Sequence, residues 1–200
     1  MSKGKYDFSV CYLEDYIYTI GGKDSKSEVL GFCERYNIKR NCWEAIASLN
    51  VKRYAASCTA VRNRKSILLF GGIHEEENKT VDCIEEYNVE KDVWINLNIK
   101  TLIWQSVEIS AVIQIKSDEI LIFGGNSPKL RDTDHAYIFN IKEHTFKKTK
   151  TNLKKPQVFI SAPFLFANKV YALGNEYYVK KRNINRYDIA TGEWDIILYN

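Results

Sequence analysis

Four stretches of the chain share one order of apolar and polar positions. The clearest copy begins with the apolar run Ile67–Phe70 and stops at Gly71 and Gly72. An apolar run that ends at two glycines is typical of a buried strand whose backbone then needs positive φ or a close approach. A second strand-forming segment carries Tyr87, and Trp94 follows seven residues later. Tyr and Trp favour strands, so this spacing predicts two antiparallel strands joined by a tight turn.

The same landmarks recur along the whole chain. The paired glycine positions begin at 21, 71, 124 and 173, with Leu173 replacing the first glycine of the last copy. Each copy also has two rings seven residues apart, namely Tyr36 and Trp43, Tyr87 and Trp94, Phe139 and Phe146, and Tyr187 and Trp194. An Asn or Asp follows each first ring, where it favours an Asx-type turn. Two residues before each second ring stands a type that tolerates the left-handed conformation, namely Asn41, Asp92, His144 or Gly192.

Each copy contains four segments that predict strands. In copy one they are 6–13, 16–20, a segment that ends at 37, and 42–46. In copy two they are 54–61, 66–70, 85–88 and 93–94. In copies three and four they are 107–115, 120–123, 137–140 and a segment around 146, and then 158–166, 170–173, 185–188 and a segment around 194. A four-stranded antiparallel unit of about 50 residues, repeated in series, is typical of a β-propeller blade. The sequence therefore predicts an all-β fold.

This phrase of two glycines, then Tyr, then Trp, resembles the kelch repeat, and the resemblance covers nearly the whole chain. It implies a kelch-type β-propeller with four four-stranded antiparallel blades, at about 6–49, 51–98, 101–150 and 155–200, in a single unit over 1–200. The first strand of each blade would line a central axis, and Tyr87 and Trp94 would pack between adjacent blades. The positions of the motif are Gly21, Gly22, Tyr36, Trp43, Gly71, Gly72, Tyr87, Trp94, Gly124, Gly125, Phe139, Phe146, Gly174, Tyr187 and Trp194.

The copies depart from the pattern at a few positions. Copy three keeps two apolar rings without a polar tip, copy four loses one glycine, and copy one lacks the basic residue that Arg53 supplies in copy two. Kelch rings usually contain more than four blades. Four blades would close into a small ring, form an open arc, or belong to a larger propeller, and we favour the last two. An open arc predicts exposed apolar faces near Phe8 and Ile196, and self-association through them.

Composition and charge narrow the class of protein. The chain is 45% apolar with a formal net charge of +4. Its pI of about 8.7 is lower than is typical of a nucleic-acid-binding domain. The five cysteines, Cys11, Cys33, Cys42, Cys58 and Cys83, form no CxxC pair, which favours reduced thiols in the cytoplasm. Residues 1–22 contain several charges and no signal-peptide core, and the longest uncharged run is too short to span a bilayer. We therefore expect a cytoplasmic protein without nucleic-acid or membrane partners.

Binding residues are expected on one face of such a propeller. The loops from strand two to strand three and the connections between blades share that face, and loops carry the function of such scaffolds. The candidate contacts with a protein partner are Lys23, Arg53, His74, Trp104, Lys129, Arg131, Lys180 and Arg182. The Trp104 side chain either packs in the core or serves as a binding anchor for a partner. The basic run that includes Lys147 and Lys148 is interpreted as a solvated outer edge that discourages strand pairing, with an acidic partner as the alternative.

The kelch resemblance implies a non-catalytic protein–protein interaction module that binds a partner segment through its loop face. The alternatives are a metal- or small-molecule-dependent enzyme that uses the central channel, and an adaptor for a ubiquitin ligase or the cytoskeleton. The three histidines form no closely spaced pair of metal ligands, and Asp132, Asp134 and His135 are only a weak cation candidate. The chain contains no nucleophile elbow and no phosphate loop, so we expect no catalytic residue, cofactor or metal.

Overall fold

The computed structural model describes residues 1, 3–74, 80–99, 110–127, 131–159, 162–176 and 181–199. Strands and turns dominate these residues, which contain one short 3-10 helix, Arg62–Arg64, and no α-helix. The chain divides into two compact units, Met1–Glu108 and Ile109–Asn200. The prediction that residues 1–200 form a single propeller unit stays a prediction.

The first unit contains two four-stranded antiparallel sheets. Sheet one consists of β1 (Ser9–Leu13), β2 (Tyr16–Ile20), β3 (Cys33–Asn37) and β4 (Cys42–Ile46). Sheet two consists of β5 (Ser57–Val61), β6 (Ser66–Phe70), β7 (Glu85–Asn88) and β8 (Val93–Asn96). In both sheets each strand pairs with the next one along the chain, as expected for propeller blades.

The second unit contains sheets three and four and a small ribbon. Sheet three is formed by β9 (Ala111–Lys116), β10 (Glu119–Phe123), β13 (Ala136–Asn140) and β14 (Thr145–Lys148), and the ribbon of β11 (Asn126–Ser127) and β12 (Arg131–Asp132) lies between β10 and β13 in the chain. Sheet four is formed by β15 (Val158–Phe159), β16 (Phe164–Phe166), β17 (Lys169–Glu176), β18 (Lys181–Asp188) and β19 (Glu193–Tyr199). β14 is an edge strand on which Lys147 and Lys148 are exposed, as predicted for the basic run.

Sheet four differs from its prediction in two respects. The expected single strand 158–166 is two short strands, β15 and β16, which both pair with β17. β17 also continues beyond the expected end at Leu173 as far as Glu176, with Gly174 paired to Asn183. The loss of one glycine explains the second difference, because without two successive residues at positive φ the backbone stays extended and the hairpin lengthens.

The glycine pairs of the other three sheets break their strands as predicted. Gly21 and Gly22 have φ of 59° and 101°, Gly71 and Gly72 have 60° and 89°, and Gly124 and Gly125 have 60° and 104°. The second glycine also permits a close approach. A Cβ at Gly22 would lie 2.6 Å from the Tyr6 carbonyl oxygen, and one at Gly72 would lie 2.8 Å from that of Tyr54. A residue with a side chain at either position would therefore have a strained backbone conformation, and its Cβ would overlap the carbonyl oxygen.

The ring pairs occupy the predicted register. Each first ring lies directly opposite its second ring on the neighbouring strand, with ring centroids 5.3, 5.1, 4.7 and 4.9 Å apart from copy one to copy four. The turn residues Asn41, Asp92, His144 and Gly192 all have positive φ. The Asx-type turns are present as well, since Asn88 Oδ1 accepts a hydrogen bond of 2.9 Å from the Lys91 amide. Local spacing and turn chemistry therefore determine these hairpins.

Within the first unit, the rings of sheet two pack on sheet one. The Tyr87 ring lies 6.0 Å from the Tyr18 ring, and the Trp94 indole donates a hydrogen bond of 3.0 Å to the Ala47 carbonyl. The Ala47 amide in turn donates to Asp92, which also accepts from the Tyr87 hydroxyl at 2.7 Å. Both rings are buried. The prediction that Tyr87 and Trp94 pack between adjacent blades is therefore confirmed.

The second unit repeats this packing. Trp194 of sheet four lies 4.7 Å from Phe123 of sheet three, and Tyr187 belongs to the same buried cluster. Phe8 and Ile196, where the sequence predicted open apolar faces, are partly buried, whereas Phe164, Leu165 and Phe166 of β16 are exposed. Self-association stays a prediction.

Candidate functional site

Two loops of the first unit are extended by isolated β-bridges beyond their glycine pairs. Lys23 pairs with Tyr6 on one side and with Val29 on the other. The loop of sheet two repeats this arrangement, since Ile73 pairs with Tyr54 and Thr80. The residue after each glycine pair is therefore paired on both sides. One partner lies just before the first strand of the sheet, and the other lies in the loop before the third strand.

This backbone pairing assembles a cluster of two tyrosines and a lysine from both sheets. The Lys23 ammonium lies 3.5 Å from the centroid of the Tyr54 ring, within the range of a cation–π contact. Tyr6 lies beside Lys23 across its bridge, is 43% exposed, and forms a hydrogen bond of 2.8 Å with the Ser27 hydroxyl. We refer to Tyr6, Lys23 and Tyr54 as the Tyr–Lys cluster.

The loop that carries Lys23 is held by its own hydrogen bonds. Asp24 Oδ1 accepts from the amides of Lys26 and Glu28 at 2.9 and 3.0 Å, and the Asp24 carbonyl accepts from Ser27. An Asp that bonds nearby amides in this way stabilises a turn. The loop is therefore ordered before any partner arrives, which lowers the entropy cost of binding.

Arg53 lies in the interior of the first unit, and its prediction as a surface contact is wrong. Its side chain is fully buried and forms an ion pair with the equally buried Glu85. It also donates hydrogen bonds to the carbonyls of Val51, Gly71 and Cys83 at 3.1 to 3.2 Å. Buried N–H groups need acceptors away from water, and Arg53 finds them on several segments. It therefore links the connection between the sheets to both ends of the sheet-two loop.

Glu85 completes this buried network on its other side. Its carboxylate accepts hydrogen bonds from the amide and side chain of Asn50 at 3.0 and 2.7 Å, and from the Val51 amide at 3.2 Å. A buried carboxylate needs such donors in addition to its ion partner. The pair is therefore a structural support beneath the loop face.

Lys5 is the counterpart of Arg53 in sheet one, so the prediction that copy one lacks this basic residue is wrong. Lys5 precedes Tyr6 as Arg53 precedes Tyr54, and it is buried. Its ammonium donates to the carbonyls of Thr19 and Phe32 at 3.2 and 3.4 Å. Burial lowers the pKa of Lys5, while the neighbouring Cys33 and Glu34 act in the opposite direction. The repeated basic–Tyr dipeptide was the sequence signal that would have found this position.

Sheet four has a neutral version of the same position. The Gln157 carbonyl accepts from the Gly125 amide at 2.9 Å, as the Arg53 carbonyl accepts from Gly22 at 3.0 Å. The Gln157 side chain donates to Asn185 at 2.7 Å, and both are buried. Since a Lys, an Arg and a Gln at equivalent positions are all buried and hydrogen-bonded, we interpret this position as structural.

The remaining predicted contacts are only partly described. His74 follows the bridge at Ile73 and is partly buried, and Arg182 is exposed near the end of the β17–β18 hairpin. Arg131 belongs to the ribbon strand β12, and its side chain lies outside the described residues. Trp104, Lys129 and Lys180 lie outside the described residues altogether. In the described part of the first unit, Lys23 lies against Tyr54, a residue that was not among the predicted contacts.

The described residues include neither a metal-binding cluster nor a membrane-spanning helix. Within these ranges, no three His, Cys, Asp or Glu side chains lie close enough together to hold a metal ion. His135 lies 3.7 Å from Asp134, as expected for neighbours at the surface. The same residues include no helix with the length and apolar character needed to cross a membrane.

Comparison with known proteins agrees with this architecture. The chain matches the model of the KLHDC2/KLHL20/DRC7 Kelch-repeats domain over residues 4–199. It is 23% identical over 200 residues to Kelch-like protein 38 of Rattus norvegicus, covering 97% of the chain and 32% of that protein. Kelch-like protein 11 of Homo sapiens is 28% identical over 129 residues, covering 63% of the chain and 16% of that protein.

The chain spans about a third or less of the length of these curated relatives. The family match covers nearly every residue, and the four sheets, glycine pairs and ring pairs carry the features of the repeat. The chain belongs to the KLHDC2/KLHL20/DRC7 Kelch-repeat family, and its fold is a kelch-type β-propeller fold of four blades.

Proposed function

We propose that this chain is a non-catalytic protein-interaction module that binds a partner segment through the loop face of its first unit, with the Tyr–Lys cluster at the centre. The observation that carries the proposal is the Lys23 ammonium held 3.5 Å above the Tyr54 ring beside the exposed Tyr6. Tyrosines that are held in place in this way are typical of the residues that contribute most to protein interfaces, and Lys23 adds a positive charge between them.

The cluster favours a particular chemistry in the partner. A cation–π contact uses the charge of the ammonium without consuming its N–H donors, so Lys23 is able to bond a carboxylate while it rests on Tyr54. Tyr6 offers an apolar ring with a polar tip next to it. We therefore expect a segment with an acidic residue adjacent to an apolar side chain.

The other candidates take a secondary place in this proposal. His74 and Trp104 of the first unit are proposed to contact the partner at the periphery. Lys129, Arg131, Lys180 and Arg182 belong to the second unit and are proposed as contacts of that unit's own loops. Arg53 is excluded as a contact because its side chain is fully buried. Contacts at the periphery of an interface contribute less binding energy than contacts at its centre.

The test is affinity capture with the whole chain as bait, from an extract of the cells that express it. The bait variant combines Lys23→Glu with Tyr6→Ala. The matched control is Lys39→Glu, a charge reversal at an exposed lysine in the β3–β4 turn, at the other end of sheet one. We expect wild type and Lys39→Glu to retain a partner that the double variant loses, with unchanged circular dichroism for all three.

Equal capture by the double variant would contradict this choice of face. Metal analysis of the purified chain tests the proposed absence of catalysis separately. A stoichiometric bound ion would favour the enzyme alternative over the interaction module.

A further inference from the structure

The first strands of sheets one and two lie side by side in the first unit, although they belong to different sheets. The Ala55 amide donates a hydrogen bond of 2.9 Å to the Asp7 carbonyl, and the Ser9 hydroxyl donates one of 2.7 Å to the Ala56 carbonyl. The partner numbers rise together, so the two segments run in the same direction. β1 and β5 are in contact with each other.

This register brings two cysteines together. Cys11 lies two residues beyond Ser9, so its side chain is on the same face of β1 and points towards sheet two. Cys58 lies two residues beyond Ala56 on the opposing segment. Both are free thiols, both are partly exposed, and both pack against the apolar cluster shared by the two sheets. Interaction with the Cys58 thiol, together with burial, raises the pKa of Cys11 well above its usual value.

We propose that Cys11 and Cys58 form a site of reversible oxidation, at which a peroxide converts the two neighbouring thiols into a disulfide between the two sheets. The other cysteines of the chain have different surroundings. The Cys33 sulfur is buried against the Gly31 carbonyl, and the Cys83 sulfur accepts from Arg53 at 3.3 Å. Cys42 lies opposite Asn37 in the β3–β4 hairpin.

The reaction balances with the peroxide as the only oxidant. Because the raised pKa disfavours a thiolate at Cys11, we assign the first attack to Cys58. Its thiolate attacks a peroxide oxygen, the O–O bond breaks, and the departing hydroxide takes a proton to become water. This leaves a sulfenic acid on the first sulfur. The second sulfur then attacks the sulfenic sulfur, the S–O bond breaks, the second thiol proton is released, and the departing hydroxide takes a proton to form a second water. Two thiols are oxidised to one disulfide, and one peroxide is reduced to two waters.

The disulfide would connect segments that are distant in sequence. It would close the chain between residues 11 and 58 and link β1 to β5. A crosslink that closes a long loop stabilises the folded state mainly by restricting the unfolded chain. Oxidised protein is therefore expected to unfold at a higher temperature than reduced protein. This inference does not depend on the proposed partner binding.

The test treats the whole chain with hydrogen peroxide, blocks the remaining thiols, and digests with trypsin without reduction. Cys11 and Cys58 fall on separate tryptic peptides, 6–23 and 54–62, each with a single cysteine. We expect mass spectrometry to find these two peptides linked, with a mass lower by two hydrogen atoms than their sum, and to find them separate after treatment with dithiothreitol. Oxidation should also raise the thermal midpoint of the wild type.

The variants make the result specific. Cys42→Ser is the matched control and should oxidise like the wild type. Cys58→Ser and Cys58→Ala should both lose the linked peptide and the rise in thermal midpoint, and two different substitutions guard against one that disturbs folding. A linkage through Cys83, a linkage between two molecules, or oxidation without any Cys11–Cys58 crosslink would overturn the proposal.

Discussion

Replacement of Arg53 by alanine is the sharpest test of the network beneath the loop face. Arg53 and Glu85 form an ion pair in which neither side chain is accessible to solvent. The variant removes the cation and leaves the Glu85 carboxylate buried without it. It also removes the donors that bond the carbonyls of Val51, Gly71 and Cys83.

The magnitude follows from this burial. Removing one partner of a buried ion pair typically costs about 3–5 kcal/mol, since the remaining charge is left uncompensated. Each carbonyl that loses its donor away from water adds to that cost, by about 1–3 kcal/mol where it stays unsatisfied. We therefore expect the free energy of unfolding to fall by at least about 3 kcal/mol, a large part of the stability of an ordinary domain.

Urea denaturation followed by tryptophan fluorescence measures this change. The control is Lys39→Ala, which removes a largely exposed lysine and its surface ion pair with Asp15, and which should leave the urea midpoint close to that of the wild type. The neutral pair in sheet four suggests a second variant, Arg53→Gln with Glu85→Gln, in which no buried charge is left alone. It should lose less stability than Arg53→Ala.

A loss of under about 1 kcal/mol for Arg53→Ala would refute the argument, since that is the range of a single ordinary hydrogen bond. It would mean that water or a rearranged side chain reaches Glu85. A double variant that is less stable than Arg53→Ala would refute the comparison with sheet four.

Three further predictions concern the packing of sheet two. Trp94→Ala should lower the free energy of unfolding by about 3–5 kcal/mol, because it removes a buried ring and the hydrogen bond to sheet one; urea denaturation measures it. Gly72→Ala should cost about 1–3 kcal/mol, because φ is 89° and a Cβ would lie 2.8 Å from that of Ala56; thermal denaturation measures it. Asp92 should make stability depend on pH. The Ala47 amide and the Tyr87 hydroxyl lower the pKa of Asp92 in the folded state, so its contribution is present above the ordinary pKa of about 4 and is lost as the pH falls through the lowered value. Urea midpoints between about pH 2 and pH 6 should therefore fall less for Asp92→Asn than for the wild type.

Each of these predictions has its own contrary result. A cost below about 0.5 kcal/mol for Trp94→Ala would mean that the ring does not pack between the sheets. Gly4→Ala is the control for Gly72→Ala, since a Cβ at Gly4 meets nothing within 4 Å. Equal losses of stability in the two variants would mean that backbone strain and overlap at Gly72 are not the cause. Parallel pH profiles for the wild type and Asp92→Asn would mean that Asp92 titrates alike in the folded and unfolded chains.

Features that depend on neighbours in sequence are predictable from the sequence of this chain. The strands Tyr16–Ile20, Cys42–Ile46 and Ser66–Phe70 have the predicted bounds, because apolar runs and turn residues mark both of their ends. The predicted first strands begin three residues too early in copies one and two. Asp7 and Ala55 have φ of 52° there, which interrupts the pairing, and the apolar pattern does not reveal such a backbone conformation.

The candidate site was predicted less well, because its contacts join distant segments. Lys23 and Arg53 were equally good surface candidates as residue types, yet one lies on a tyrosine ring and the other is buried against Glu85. The cysteine pair likewise depends on how two sheets lie against each other.

The sequence alone determined the repeat, the hairpins and the positions of the rings, since strand periodicity and turn chemistry act within a few residues. Only the tertiary structure decided which polar side chains are buried and which lie at the surface. That outcome depends on the packing of one sheet against the next, where a charged side chain is retained in the interior only if the neighbouring sheet or connection supplies its partner.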